Sequence, residues 1–558
     1  MNVTNNILTT LVLTLITSVC SAQAEKKALK SVKSPVPSFE FADQLQEQEA
    51  QLAENPMLKR FAKERTKYLS DPYCPSYHFV NPEGRMNDPN GLCFWQGRWH
   101  LFYQAYPPET DRTHWGHAVS TDLVHWRDLP YAIYPDIEKS SYSGNTLVEQ
   151  DRVIAMYHGV GAGSMIATAT DPLLLNWEKS AANPVIPMFR GARGEAARCR
   201  GPDGSPLPYR IHDPFLWRKG DFYYAITSGT LPMSGKRQYR ANFLHRSDDL
   251  KTWEYLHPFD EGDRFTLVGD DGACPYFLPI GKRYMLATFS HQSGSQYLLG
   301  DYDKQRDKFV VSSHGRFTFN ASRPSALHAP SVAPSPSGDG SLIAIFNMNA
   351  QNMGYPAFRQ IMSLPRRLWL EGSDDLRVAP AGEIQSLRGK HQSLQPMTLP
   401  ANKEVVLDGI MGNAMEIKVV IDRPRTSMFE LCVLRSPDKE EYTRIMYYPN
   451  RGLLNQRRFG RSGPQEGLLS IDSSYSTTSD RVMCRAPETG PVQLDNGEDL
   501  TLRVFIDRSV VEVFANDKQC LAIRVFPKRA DSIGVSLRSQ GQETQVKSLD
   551  AWEMKSIW

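Results

Sequence analysis

Two aspartates stand in the same short context. Asp88 lies in Arg85-Met86-Asn87-Asp88-Pro89-Asn90-Gly91, and Asp213 in Arg210-Ile211-His212-Asp213-Pro214-Phe215. Taken alone, Asp-Pro-Asn-Gly is a turn signal, because each of these residues favours turn backbone. The second Asp-Pro step changes that reading. If both steps occupy equivalent places in a repeated unit, the two carboxylates face each other. Unpaired buried carboxylates are costly, so a facing pair points to chemistry or to holding ligand hydroxyls. A third acidic stretch, Asp270-Asp271-Gly272-Ala273-Cys274-Pro275, also runs into an X-Pro step. Nearby segments supply a lining suited to a sugar: His100-Leu101-Phe102-Tyr103-Gln104, Trp115-Gly116-His117 and Tyr142-Ser143-Gly144 set amides and hydroxyls beside flat apolar rings. Phe102 and Tyr103 are expected in the core. Gln104 and Trp115 stand where a strand meets a loop and are expected to be exposed to ligand.

The elements that would carry these residues repeat. Five times a polar turn leads into a strongly apolar strand: Gly97 into 99–103, Asp151 into 153–157, Gly220 into 222–226, Gly281 into 284–287, and Gly340 into 342–346. The spacings are 54, 69, 61 and 59 residues. Before four of these turns an X-Pro step opens a strand: Asp88-Pro89, Asp213-Pro214, Cys274-Pro275 and Ala329-Pro330. The second unit has Ser143-Gly144 instead. Three units end in an Asp…Trp signature, at Asp122 to Trp126, Asp171 to Trp177 and Asp248 to Trp253. Five regular units of several short strands predict a five-bladed β-propeller, over residues 71–392. Inner-strand positions of a propeller converge on one funnel, which is what two facing aspartates need. Beyond it the pattern changes to hairpins such as 502–506 and 510–514 around Asp507-Arg508-Ser509, predicting a β-sandwich over 393–558. The fold class is therefore all-β.

The N-terminus differs. Residues 7–19 are apolar but too few to span a bilayer, and Ala22-Gln23-Ala24 fits a cleavage site, so residues 1–24 read as an export signal. A lipid anchor on Cys20 is the rival reading, with Thr17-Ser18-Val19 a poor match before it. Residues 25–70 are rich in Lys, Glu and Gln, with a single amphipathic helix expected over 41–67. The chain has 558 residues, and 64 Lys plus Arg against 62 Asp plus Glu leave a net charge of +2. That balance offers no field for nucleic acid or an anionic membrane. Seven of the eight cysteines follow residue 24, sparse and without C-x-x-C spacing, so neither a disulfide framework nor a zinc site is indicated.

His78-Phe79 followed by Met86-Asn87-Asp88-Pro89-Asn90-Gly91 resembles the nucleophile motif of glycoside hydrolase family 32, the invertases, inulinases and levanases. Ordered further matches cover residues 76–558, among them Asn183-Pro184-Val185, Leu364-Pro365-Arg366, Leu387-Arg388 and the run 502–514. The resemblance implies a propeller followed by a sandwich and hydrolysis of β-fructofuranosidic bonds with retention. It also implies a neutral carbohydrate substrate and no metal or other cofactor. Asp88 would be the nucleophile, Asp213 the stabiliser of the oxocarbenium-like transition state, and a third carboxylic acid the proton donor. Asn87, Gln104, Trp115, Ser143 and His212 are the expected sugar contacts.

Two positions depart from the family's pattern. The glutamate usual before Cys-Pro is Ala273, and the arginine usual before the second aspartate is His212. Alanine transfers no proton. Asp271, two residues earlier, points to the same face of a strand and is the expected substitute, with Asp270 the second choice and a plain turn before Gly272 the other reading. His212 exchanges a fixed guanidinium fork for a group that titrates near neutrality. Three functions fit: an exported hydrolase of fructans, fructo-oligosaccharides or sucrose; a glycosidase of another furanoside or modified glycan; and a catalytically silent sugar-binding protein.

Overall fold

The computed structural model describes residues 31–189, 198–199, 210–232, 238–320, 326–350, 360–422, 424, 427–451 and 465–558. The expected leader, residues 1–24, lies outside them. Five sheets form blades I to V, running from innermost to outer strands in chain order except in blade IV, where Asp260–Glu261, which precedes the innermost strand, adds in parallel at the outer edge beside Lys308–Arg316. The innermost strands are Met86–Trp95, Ser141–Val148, Arg210–Lys219, Ala273–Ile280 and Ala326–Pro334. Each packs on the next, and the fifth closes on the first. The five apolar strands expected after polar turns are the second strands of the blades: Arg98–Ala105, Val153–Gly159, Phe222–Pro232, Arg283–Ser290 and Leu342–Asn349.

Every innermost strand is bulged at the same place. The ladder to the second strand slips between Met86 and Pro89, Ser141 and Gly144, Ile211 and Pro214, Ala273 and Tyr276, and Leu327 and Pro330. A bulge is one of the few strand positions that tolerates proline, and it re-aims the unpaired side chains. The unpaired residues are Asn87-Asp88, Tyr142-Ser143, His212-Asp213, Cys274-Pro275 and His328-Ala329. In blade IV the proline lies inside the bulge, so Cys274 matches Asn87 in register rather than Asp88. Cys274 takes a positive φ of 50° there. Blade II uses glycine because a Cβ on Gly144 would lie 2.1 Å from the Met156 carbonyl oxygen.

The Asp…Trp signatures are one turn used three times, between the third and fourth strands of blades I to III. Leu123, Leu174 and Leu250 adopt left-handed backbone, and the tryptophan three residues on donates Nε1–H to that leucine's carbonyl (3.1, 2.8 and 3.2 Å). In blade III the carboxylate that caps the turn is Asp249, not the Asp248 expected.

The single helix expected over 41–67 is two, Leu45–Glu54 and Pro56–Leu69. Pro56 has no N–H to continue the first helix and starts the second, whose first turn Asn55 caps through its side chain (2.9 Å to Met57 N). This extension packs on blade I, with Phe61 edge-on to Tyr131 (5.5 Å) and Arg65 paired with Asp128 (2.6 Å).

The sandwich has a seven-stranded and a six-stranded sheet around an aliphatic core. Its first strand, Arg388–Leu394, pairs with Thr544–Met554, so the boundary precedes the expected 392–393 step. It falls in the 3-10 turn Ile384–Leu387 that follows the last blade strand, Asp375–Pro380. The two domains meet through a buried ionic group. Asp507 accepts from the backbone N–H of Ser76, Tyr77 and His78 (2.7–2.9 Å) and pairs with His78 Nδ1 at 2.9 Å. Glu512 pairs with His78 Nε2 (3.3 Å) and with Arg366 (2.8 Å). Among the described residues Cys74, Cys93, Cys274, Cys432, Cys484 and Cys520 are free thiols, and no helix is long and apolar enough to cross a membrane.

Candidate active site

Asp88 stands in the bulge of blade I with its carboxylate buried. Ser143, from the equivalent bulge of blade II, donates to Oδ2 at 2.8 Å, and Gln104 Nε2 donates to the same oxygen at 3.1 Å. Gln104 also donates to Ser143 Oγ (2.8 Å), which closes a triangle around that oxygen. On Oδ1, Asn347 Nδ2 lies at 3.4 Å and His328 Nδ1 at 3.4 Å. Burial alone would raise this carboxyl. The His328 bond and charge, with Ser143, outweigh burial and hold Asp88 below the usual carboxylate range. Asp88 is thus ionised at neutral pH, as an attacking oxygen must be.

Asp213, in the bulge of blade III, faces it. The Cys274 N–H donates to Asp213 Oδ2 at 2.9 Å, and the Cys274 sulfur sits 3.5 Å from that oxygen and 3.7 Å from Asp88 Oδ2. Both carboxylates therefore reach the same sulfur atom. Burial, with the charge of Asp88 adding to it, pushes Asp213 up to about 7 against the opposing Cys274 N–H bond. Two aspartates from matched positions are thus driven apart, one ionised and one held near neutrality, the pattern of paired groups with different tasks.

The stretch before Cys274 divides its aspartates. Asp270 is fully buried and spends its carboxylate on the loop, accepting from Leu267 N (2.9 Å) and Ser293 Oγ (2.5 Å). Asp271 is partly exposed and binds His291, accepting from its backbone N at 3.2 Å and meeting its Nδ1 at 2.6 Å. Burial raises Asp271, but the His291 bond and charge prevail and lower it. His291 is raised, first by that bond and further by the charges of Asp88 and Asp213, so the pair belongs to the same electrostatic site. Ala273 packs with Cys274, Phe289 and Ala329 in a small apolar patch.

The expected sugar contacts are only partly at the funnel. Gln104 and Ser143 touch Asp88 directly, and Asn87 accepts from Asn347 at 3.2 Å. His212 is half-buried in its bulge, with its ring 6.3 Å from that of His158, and its charge acts on Asp271. Trp115 corrects the expectation of exposure. It is fully buried, its Nε1–H donates to the Tyr142 carbonyl (2.8 Å), and it packs on Phe102 and Tyr157. The whole of strand His114–Ser120 is buried on both sides, so the strand end gave no exposure. Phe102 and Tyr103 are core, as expected. Sequence reasoning missed His291, His328 and Asn347. His328 was legible, since it precedes Ala329-Pro330 as His212 precedes Asp213-Pro214; the other two lie on second strands or their exits and carry no motif.

One ionised carboxylate facing a second that titrates near neutrality, in a funnel lined with amide and hydroxyl donors, can form and stabilise a glycosyl ester. The chain is also similar to known proteins. The family model described as "Glycosyl hydrolases family 32 N-terminal domain" matches residues 78–380, and "Glycosyl hydrolases family 32 C terminal" matches 383–553. A levanase of Bacillus subtilis is 28% identical over 540 residues, covering 88% of this chain and 72% of that protein. Beta-fructofuranosidase 1 of Zea mays is 26% identical over 559 residues, covering 87% and 80%. The crystal structure of fructan 1-exohydrolase IIa from Cichorium intybus superposes with a TM-score of 0.72 at 22% identity, over 87% of this chain and 98% of that one, and so shares the fold. Propeller, sandwich and both family models run together along residues 78–553, and on that ground the chain belongs to glycoside hydrolase family 32, as a hydrolase of the fructofuranosidase type.

Proposed function

We propose that this protein hydrolyses β-fructofuranosidic bonds of fructans, fructo-oligosaccharides or sucrose with retention of configuration. The observation that carries this reading is the pair Asp88 and Asp213, set on matched bulges and separated in protonation around the Cys274 sulfur. Asp88 attacks the anomeric carbon to form a covalent fructosyl-enzyme. Asp213 accepts sugar hydroxyls and stabilises the positive charge that develops at the ring. Asn87, Gln104 and Ser143 order the nucleophile and meet the sugar, and His212 borders it. The acid step comes from the Asp271 side of the funnel, since position 273 has no proton to give. The named relatives, a levanase and a beta-fructofuranosidase, support this substrate class.

The test is turnover on a panel of sucrose, fructo-oligosaccharides, inulin, levan and other furanosides, read as released sugar. Asp88→Asn should lose about 10⁴-fold or more in kcat while keeping sugar affinity. Equal release by wild type and variant would overturn the reading in favour of a silent sugar-binding protein, and turnover confined to another furanoside would move the substrate class. We also infer export, from the apolar run 7–19 and Ala22-Gln23-Ala24. A mature N-terminus after Ala24 in the protein recovered outside the cytoplasm checks it; a chain retained there with its N-terminus intact refutes it.

A further inference from the structure

The gap at position 273 has a neighbour that can fill it. Ala273 lies opposite Phe289 in the ladder between Ala273–Ile280 and Arg283–Ser290. Just outside that ladder, Asp271 before the first strand meets His291 after the second. The pair therefore stands at the mouth of the strand that carries position 273, with only Gly272, in left-handed backbone (φ 62°), between Asp271 and Ala273. Two hydrogen bonds close it, from His291 N to Asp271 Oδ1 (3.2 Å) and between Nδ1 and Oδ2 (2.6 Å). With Nδ1 so held, Nε2 is the ring atom that a ligand can reach, and the side chain is 49% exposed. The ring stands 6.0 Å from the His328 ring, whose Nδ1 is 3.4 Å from Asp88 Oδ1. It also stands 5.0 Å from Phe289, which packs on Ala273.

We propose that His291 is the acid/base of this enzyme, with Nε2 supplying the proton that a carboxyl at position 273 would give, and with Asp271 as its positioning residue. This rests on the reading that Asp88 forms the fructosyl-enzyme. In the first step Asp88 bonds to the anomeric carbon. The bond to the leaving oxygen breaks with its electron pair going to that oxygen, which takes the Nε2 proton. His291 is then neutral, its remaining proton on Nδ1 facing Asp271. In the second step Nε2 takes a proton from water as the water oxygen bonds to the anomeric carbon, and Asp88 leaves as a carboxylate. No other reactant is needed.

The charges around the ring suit both steps. Asp271 acts on it directly and Asp88 and Asp213 from across the funnel, all three favouring the imidazolium against burial. The cationic forms of His328, over the ring edge, and of His212, acting on Asp271, oppose it. Asp271 itself is a poor acid, because its carboxylate is held ionised by the same bond.

The experiment compares wild type, His291→Ala, Asp271→Asn and Asp88→Asn. The substrates are the natural fructoside turned over and p-nitrophenyl β-D-fructofuranoside, whose leaving group needs little protonation. His291→Ala should lose about 10²- to 10⁴-fold in kcat/KM on the natural substrate. On the nitrophenyl fructoside it should lose less than about tenfold in the same general-acid argument, and this retained turnover also reports that the variant is folded. The alkaline limb of its pH–rate profile should vanish, and azide should raise its kcat on the nitrophenyl fructoside by attacking the fructosyl-enzyme in place of water, with Asp88 leaving as a carboxylate. Asp271→Asn should keep the limb but move it to lower pH. Equal losses on both substrates, or an unmoved alkaline limb in His291→Ala, would overturn the assignment. A fully active Asp88→Asn would instead overturn the covalent reading beneath it, so the two failures are distinguishable.

Discussion

At the junction of propeller and sandwich, Asp507 and Glu512 are buried as completely as any side chain in the molecule, and in the funnel Asp88 and Asp213 are nearly so. The surroundings of the two pairs differ in kind. The junction carboxylates share His78 between them, Glu512 adds Arg366, and Asp507 collects three backbone donors. Burial would raise both, yet the His78 bonds and charge, with Arg366 for Glu512, hold both below their ordinary range. In the funnel no lysine or arginine pairs with Asp88 or Asp213 among the described residues. Their donors are Ser143, Gln104, Asn347 and Cys274, with His328 beside Asp88 alone. Asp213 is left near 7. Charge that is fully compensated inside the protein ties chains together; charge left partly uncompensated is available to a substrate. The difference separates a structural pair from a working pair even though both carry motif residues.

Breaking the junction should give the largest stability effect. Glu512→Gln removes the partner of both Arg366 and His78 and leaves cations buried without it, which costs about 3–5 kcal/mol. Denaturant or thermal unfolding should show a clearly lowered midpoint, and the fraction still folded should keep its turnover. An unchanged midpoint would mean that the junction is not the lock described.

Titration should follow at a somewhat smaller scale. His78 is raised to about 9, because its bonds to Asp507 and Glu512 outweigh the burial that would lower it. A raised group stabilises the fold fully below its unfolded value near 6.5 and loses that contribution as pH rises through the folded value. The shift corresponds to roughly 3 kcal/mol. The unfolding midpoint should therefore fall between about pH 7 and 9.5, and His78→Gln should flatten that slope. Asp507 and Glu512 act in the opposite sense, with their contribution lost as pH falls below the carboxylate range. A midpoint with no slope on the alkaline side, or one that His78→Gln leaves as steep, would sink this account.

The same contrast explains what could be read without coordinates. The blades were legible because each inner strand repeats one device, an X-Pro or Ser-Gly step that proves to be a bulge, and because an Asp…Trp signature punctuates three blades alike. Asp88 and Asp213 followed from that repeat, being matched by local sequence. The junction did not. His78 and Glu512 are 434 residues apart, and nothing local marks either as half of an ion pair. Trp115 was misplaced because loop proximity says little about a strand packed on both faces. The helix break at Asn55-Pro56 was plain in the residues and was outweighed by the amphipathic pattern across it. His291 has no motif at all; it is found only through the hydrogen bonds that join it to Asp271.

The smallest of these effects sharpens the comparison most, because it reverses its sign. Asp213 is raised, so the folded state favours its protonated form. That contribution is fully present below the ordinary carboxylate value near 4 and is lost as pH rises through about 7, above which the fold carries a buried charge that the Cys274 N–H and the charge of His291 only partly offset. Asp213→Asn keeps an oxygen to accept from Cys274 N and removes the charge. At pH 7.5 it should stabilise the protein by about 1–3 kcal/mol, a gain that shrinks as the pH is lowered towards 4. Turnover on the fructoside substrate should fall by about 10³-fold or more, because the transition state loses its carboxylate. A carboxylate that raises stability when removed and abolishes activity is held for the substrate; the junction carboxylates should do the opposite on both counts. If Asp213→Asn proves less stable than wild type at pH 7.5 and at pH 5 alike, the funnel charge is compensated after all and the distinction between the two pairs fails.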